Sequence, residues 1–366
     1  MIRELGIGGS ERQTSMMAQS LNQKDFRVIV GAFHSEGLRR AQLNEVGIPV
    51  VEFGVRSFGR LSLWKRRQEF RKFLRQEQVA VVHPFDYGTV LFCALSTPGT
   101  GVRFISSQRS QRVLLPPNQR RLVRCADFAA DTLVVNSEFL RQEMIKEEGW
   151  RPERLRLIRN AIDVNAFQPP VGPRLRLAPL AGAKIVVGCI AALRSEKDLG
   201  TLMAAVQRLA PRFPGLHLLL VGSGSAEPEL RKLCAQLGLD QICHFVSQTA
   251  DVLPWLHCID IFVLPSTSEA LSNSLMEALS TGTAAVASRV GGNVELITHN
   301  QNGLLFEARD VAGLEAVLAT LITQPSQREQ LGRKGRDFVV ENFSARAVAA
   351  SLGTVYQEPW KRERIE

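Results

Sequence analysis

The sequence predicts an α/β protein built from two doubly wound parallel-sheet domains. Three observations carry this expectation. The chain has 366 residues, too long for one compact core. Short apolar runs alternate with stretches of helical spacing over residues 27–165, and again from residue 184 onward. Between them, residues 169–182 (P-P-V-G-P-R-L-R-L-A-P-L-A-G) break the pattern with four prolines and two glycines. The expected division is therefore a domain at 1–168, a linker at 169–182, a second domain at 183–343 and a closing segment at 344–366.

The elements follow in order. M-I-R-E-L leaves little room for a strand before G-I-G-G-S-E-R, so either the first strand is very short or the natural start lies upstream. R-V-I-V-G, V-A-V-V-H, V-R-F-I-S, D-T-L-V-V and L-R-L-I-R read as strands. Residues 37–46, 61–77, 117–129 and 137–148 have helical spacing. The alternation restarts at K-I-V-V-G-C-I, with further strands at L-H-L-L-L-V, I-C-H-F-V, D-I-F-V-L and A-A-V-A-S. Two long helical stretches close this half, and residues 344–360 form a last helix carrying Tyr356 and Trp360. Paired doubly wound domains facing a cleft place ligands at the C-terminal ends of their strands.

Composition narrows the function. Apolar residues make up 45% of the chain, enough for two cores, and no apolar run approaches the length of a membrane span. No secretory signal is visible at the N-terminus. The six cysteines are scattered without a C-x-x-C pair, which predicts reduced thiols and a cytoplasmic protein. The net charge of +9 is one-sided: residues 1–165 hold 26 Lys/Arg against 17 Asp/Glu, and the remainder holds 19 of each. A basic N-terminal half predicts an anionic partner, a lipid phosphate or the inner face of a membrane. No nucleic-acid-binding motif is present and aromatics are only 7%, which argues against nucleic acid.

The most informative stretch is E-A-L-S-N-S-L-M-E, with Glu269 and Glu277 eight positions apart. It follows the apolar run I-D-I-F-V-L-P and a Ser-rich bend, and G-G-N-V-E follows at Gly291–Glu295. A buried strand, a tight bend and a helix start aim backbone N–H groups at an anion. Carboxylates accept hydrogen bonds in pairs, which suits sugar and ribose hydroxyls. In this order of motifs the chain resembles the retaining glycosyltransferases of family 4, which have the GT-B fold. The resemblance implies that Glu269 touches the donor sugar and that the N–H groups near Leu271, Ser272 and Asn273 hold the diphosphate. Glu277, about two turns on, would bind the ribose. It also implies that the last helix returns to the N-terminal domain.

The same resemblance extends to other loops. Gly8 and Gly9, in G-I-G-G-S-E-R, would border the donor phosphates and the acceptor. In C-I-A-A-L-R-S-E-K-D, Arg194 and Lys197 would offset diphosphate charge without a metal. Gly222, in V-G-S-G, would line the nucleotide. No Asp-x-Asp motif or metal-ligand cluster occurs. No resident cofactor is implied, only a nucleoside-diphosphate sugar, with UDP or GDP as its nucleotide.

The acceptor half departs from the family. Phe85, in V-V-H-P-F-D-Y-G, stands where many relatives have a functional His. Asp86 is the expected acceptor-side acid or base, with His83 second. The competing reading is a core His83 and an Asp86 that caps the next helix. Arg109 and Arg112, in I-S-S-Q-R-S-Q-R, would hold an acceptor phosphate or carboxylate, or brace the domain interface. Ala161 and Ala270 replace the glycines usual in the family. The function implied is retaining transfer of a sugar to a glycan or lipid-linked acceptor, in envelope or exopolysaccharide synthesis. The alternative is a catalytically silent GT-B-like protein that binds sugar nucleotides.

Overall fold

The computed structural model describes residues 1–21, 25–56 and 60–360. The chain forms two compact units, Met1–Ala161 together with the chain from Ala345, and Ile162–Ser344.

The first unit has strands β1 (Val30–Ala32), β2 (Val50–Glu52), β3 (Val81–Val82), β4 (Arg103–Gln108), β5 (Thr132–Val135) and β6 (Leu155–Leu157). Its helices are α1 (Gly9–Leu21), α2 (Leu38–Glu45), α3 (Arg60–Gln76), α4 (Tyr87–Ser96), α5 (Pro117–Phe128) and α6 (Glu138–Lys146). All strand pairs are parallel. The chain start joins the β1-β2 pair to the β3-β4-β5-β6 sheet. The Ile2 N–H donates to the Gly31 carbonyl at 3.0 Å, the Met1 ammonium to the His83 carbonyl at 2.8 Å, and the Phe85 N–H to the Met1 carbonyl at 2.9 Å. Ile2 forms a single parallel bridge with Ala32 there.

One face of this sheet packs α1, α2 and a last helix, Ala345–Gln357, through Met17, Leu43, Val348 and Leu352. The opposite face packs α3, α4 and α5 through Phe70, Phe92 and Ala126. The rings of Phe70 and Phe92 lie 5.2 Å apart. The last helix therefore belongs to the first unit although it follows the second in sequence.

The second unit has strands β7 (Ile185–Ile190), β8 (Leu216–Val221), β9 (Cys243–Val246), β10 (Ile261–Leu264), β11 (Ala284–Ser288) and β12 (Leu304–Phe306). Its helices are α7 (Leu199–Leu209), α8 (Glu227–Gln236), α9 (Leu253–Leu256), α10 (Asn273–Ser280), α11 (Asn293–Leu296), α12 (Val311–Thr323) and α13 (Pro325–Phe343), so the last helix of the chain is α14. The sheet order β12-β11-β10-β7-β8-β9 is parallel throughout, and its order reverses between β7 and β10. Open α/β sheets bind ligands at such a reversal, beyond the strands' C-terminal ends. Strands buried on both faces need apolar side chains throughout, which I-F-V-L and A-A-V-A-S supply.

The units meet at Ala161–Ile162 rather than near residue 168. Residues 169–182 are no free linker but are fastened along the second unit. Arg176 pairs with Asp260 at 2.7 Å, the Leu175 N–H donates to the His257 carbonyl at 3.1 Å, and Leu180 is fully buried. Proline and glycine set the local path, but arginines and one leucine attach it. Strands β2 and β12 were not expected from the sequence. Each has only three residues, too few to show a period. No helix among the described residues is long and apolar enough to cross a membrane.

Candidate functional site

In the second unit, the loops after β7 and β10 come together at the strand reversal. The Thr267 N–H donates to the Glu196 carbonyl at 2.8 Å, which ties one loop to the other. Lys197 Nζ donates to Glu269 Oε1 at 2.6 Å, and Ser266 Oγ donates to the same oxygen at 2.7 Å. Glu269 is 9% exposed, so the pair is largely shielded from water. A shielded pair is strongly coupled, and moving either charge leaves the other poorly solvated. Burial pushes the neighbouring Cys189 thiol up to about 12, so that cysteine is inert beside the pair.

Helix α10 starts at once after this bend. Ser272 is its N-cap and accepts from the Leu275 N–H at 3.3 Å. Leu271 and Ser272 are buried, and Asn273 opens the helix. The first N–H groups of a helix lack intrahelical acceptors and favour an anion. Glu277 lies in the same helix and is 4% exposed. Gly291 closes the wall: its φ is +45°, and a Cβ there would lie 1.8 Å from the Glu269 carbonyl oxygen. Only glycine lets the two backbones approach this closely. Gly222 does the same after β8, with φ +145° and room for no Cβ beside the Ala191 carbonyl. Arg194 stands apart: its side chain is 65% exposed and its nearest carboxylate, Glu196, is 4.0 Å away. Ala270, the departure from glycine, is buried, and its φ is not positive.

The first unit holds the other candidates. Gly8 and Gly9 lead into α1, where the Arg12 N–H donates to the Gly8 carbonyl at 3.1 Å. His83 is buried, with Nδ1 2.7 Å from the Tyr356 hydroxyl and Nε2 2.5 Å from Ser107 Oγ. Burial holds its pKa well below the usual histidine value, and Arg109 and the chain-terminal ammonium push the same way. Asp86 is the N-cap of α4. Its carboxylate accepts from the Thr89 N–H and hydroxyl, each at 3.0 Å, and from the Arg3 N–H at 2.8 Å. Both residues are thus engaged in holding the fold, as the competing sequence reading has it.

Arg112 requires a correction. It is 1% exposed and is enclosed by Asp127 and by Glu148, the latter at 2.7 Å. It ties the 3-10 turn before α5 to Asp127 in α5 and to Glu148 beyond α6, and is not placed to receive an acceptor. Arg109 differs. Its guanidinium lies 4.4 Å over the Phe85 ring and donates to Asn160 Oδ1 at 2.9 Å. Its Nε and Nη2 are buried without a hydrogen-bond partner among the described residues. Burial lowers its pKa to about 10, so it remains a cation, with no paired carboxylate among the described residues. Phe85, where a polar residue was looked for, is the floor under this cation. Ala161 is likewise accommodated: Gln13 accepts from its N–H and donates to its carbonyl, both at 2.8 Å.

Sequence reasoning missed Ser266, Tyr356 and Asn160 as partners of the site residues. Ser266 was visible only as part of a Ser-rich bend. Tyr356 lies 273 positions from His83, a separation no local pattern reports.

The family described as Glycosyl transferases group 1 matches residues 178–338, and Glycosyltransferase Family 4 matches residues 7–166. The lipopolysaccharide core biosynthesis glycosyltransferase LpsE of Rhizobium meliloti is 29% identical over 60% of this chain and 62% of its own length. An alpha-maltose-1-phosphate synthase of Mycolicibacterium smegmatis is 27% identical over 77% of this chain and 80% of its own. The match to LpsE, like that to glycogen synthase of Mycobacterium tuberculosis at 56%, spans less than two thirds of the relative's length. Among solved structures, Anabaena Alr3699/HepE in complex with UDP-glucose superposes with a TM-score of 0.83 at 19% identity, over 98% of this chain and 99% of that one. Sucrose-phosphate synthase from Thermosynechococcus elongatus gives 0.81 at 18% identity, over 96% and 93%.

Proposed function

Because the chain belongs to family 4 of the GT-B glycosyltransferases, we propose that it transfers a sugar from a nucleoside-diphosphate donor to a hydroxyl, with retention of anomeric configuration. The observation that carries this reading is the Lys197–Glu269 pair, set at the strand reversal beside the N-terminus of α10. The donor diphosphate lies against the first N–H groups of α10 and draws on the Lys197 charge. Glu277 accepts from the ribose hydroxyls and Glu269 from the sugar. As the bond from C1 to the diphosphate oxygen breaks, charge builds on that oxygen, and the fixed cation and helix N–H groups stabilise it. The acceptor oxygen bonds C1 on the face the diphosphate leaves, and the departing phosphate oxygen takes its proton. No protein base is needed, which agrees with an Asp86 and a His83 engaged elsewhere.

In this reading Lys197 and the first N–H groups of α10 supply the charge that offsets the diphosphate. UDP-glucose is the first donor to try, since the Anabaena neighbour was solved with it. A glycan or lipid-linked acceptor of envelope synthesis is favoured by the relative from Rhizobium meliloti and by the basic first unit. Arg109 is the group of that unit that would meet an acceptor phosphate or carboxylate.

Thermal-shift screening against UDP-, GDP- and ADP-sugars tests the donor, since a ligand that binds only the folded state raises its melting point. Donor hydrolysis and transfer to glycan and lipid-diphosphate acceptors test the reaction. A raised melting point without turnover on any acceptor supports a silent binder instead, and no shift with any sugar nucleotide refutes both readings.

A further inference from the structure

Helices α3, α4 and α5 form one outer layer of the first unit, sharing the core of Phe70, Phe92 and Ala126. Each follows a strand of a parallel sheet, so all three begin at the strands' C-terminal ends, the end that carries His83 and Arg109. Large apolar side chains of this layer stand in water. Trp64, in the second turn of α3, is 62% exposed. Val113 and Leu114, in the 3-10 turn just before α5, are 61% and 50% exposed, and Leu122 in α5 is 57% exposed. Large apolar residues exposed on α3 and around α5, the two helices that flank α4 in this layer, mark a surface that meets something apolar.

Charge says what that is. Helix α3 carries seven Lys/Arg and one carboxylate, Glu69. Lys65, Lys72 and Arg75 are exposed along it, and Arg121 is exposed beside Leu122. A protein partner would have to offer a strip both apolar and strongly acidic. An anionic bilayer offers both at once, headgroup charge above and acyl chains below, and tryptophan favours its interface.

We propose that the α3–α5 face of the first unit seats on an anionic phospholipid bilayer, with Trp64, Val113 and Leu114 entering the interface and Lys65 and Arg121 on the headgroups. The contact stands on this surface alone. Its purpose, bringing a lipid-linked acceptor to the Arg109 end of the sheet, rests on the transferase reading.

The test is sedimentation of the intact protein with vesicles of phosphatidylglycerol and phosphatidylcholine, and with phosphatidylcholine alone. The expected result is pelleting with the anionic vesicles only, reversed by salt, and quenching of Trp64 by brominated acyl chains that Trp64→Phe removes. Lys65→Gln or Arg121→Gln lowers partitioning by about fivefold each, and Val113→Ser with Leu114→Ser abolishes quenching. These side chains are exposed, so the variants keep the wild-type melting point. Absence from every vesicle pellet overturns the proposal, as does pelleting unaffected by the serine pair. A concentration-dependent dimer dissolved by that pair also overturns it, by assigning the face to a second copy. Thermal shift with UDP-glucose on the same preparation keeps the two readings apart. A shift without vesicle binding removes only the membrane contact, and vesicle binding without any sugar-nucleotide shift removes only the transferase.

Discussion

The two units treat similar polar residues in opposite ways. In the second, Glu269 and Lys197 sit in loops after strands, bonded mainly to each other and to Ser266. Removing them undoes no helix and no sheet. In the first, His83 joins Tyr356 to Ser107, Asp86 caps α4, and Arg112 neutralises Asp127 and Glu148. Removing any of these loosens the fold. A polar residue whose partners are scaffold is held for stability. One whose partner is another loop residue at a strand reversal is, in the proposed reading, held for a ligand. Arg109 is the exception in the first unit, bonded to Asn160 yet with two guanidinium nitrogens, Nε and Nη2, that have no hydrogen-bond partner among the described residues.

The sharpest way to break this contrast is Arg112→Met. It leaves Asp127 buried without its cation and should cost about 3–5 kcal/mol, read from urea unfolding, while the acceptor KM stays unchanged below the melting temperature. Near-normal stability with a raised acceptor KM would return Arg112 to the acceptor site. Lys197→Ala should do the reverse, lowering turnover by about 10²–10³-fold while costing less stability than Arg112→Met, since the Lys197 side chain is 19% exposed and Ser266 still donates to Glu269, as steady-state kinetics and melting curves would show together. Glu277→Ala should instead weaken nucleotide binding more than turnover. If both variants keep wild-type kinetics, the donor site is misplaced.

Asp86 sharpens the contrast from the other side. Asn caps helices about as well as Asp, so Asp86→Asn should be nearly neutral in stability, whereas Asp86→Ala should lose about 1 kcal/mol. Transfer should survive both. A fall of about 10²–10⁴-fold with Asp86→Asn alone, the size of a lost general base, would show that the cap is also the acid or base.

The arrangement of the proposed donor site was legible because its signals are local. I-F-V-L, the bend and E-A-L-S-N-S-L-M-E occupy one continuous stretch, and the structure brings Glu269, Leu271 and Ser272 together within it. Lys197 needed only the parallel pairing of β7 with β10 to reach Glu269. The acceptor half was not legible for the opposite reason. His83 looks the same in sequence whether its neighbour is a sugar or Tyr356. Arg109 and Arg112 share one motif, yet burial beside Asp127 separates them. The prolines of residues 169–182 likewise signalled a break in pattern, but the attachment to the second unit comes from Arg176 finding Asp260, 84 positions away.

The smallest expected effect concerns protons on His83. Its folded-state pKa is lowered, by burial first and then by Arg109 and the chain-terminal ammonium. In the unfolded chain it titrates near 6.5. Above that value both states hold the neutral ring, and its bonds to Tyr356 and Ser107 contribute fully. As pH falls below about 6.5 the unfolded chain binds a proton that the folded one refuses, so stability is lost. Between pH 7.5 and 5.5 this amounts to about 1 kcal/mol for one group. His83→Asn should unfold more easily at both pH values yet show that much less acid sensitivity. Comparing wild type and variant cancels the same trend from His217 and His244, whose pKa values are also lowered by burial. Equal acid sensitivity in the two proteins would mean that His83 is already charged or solvated in the folded state. It would then be as available to an acceptor as Arg109, and the distinction between scaffold and site would fail at that residue.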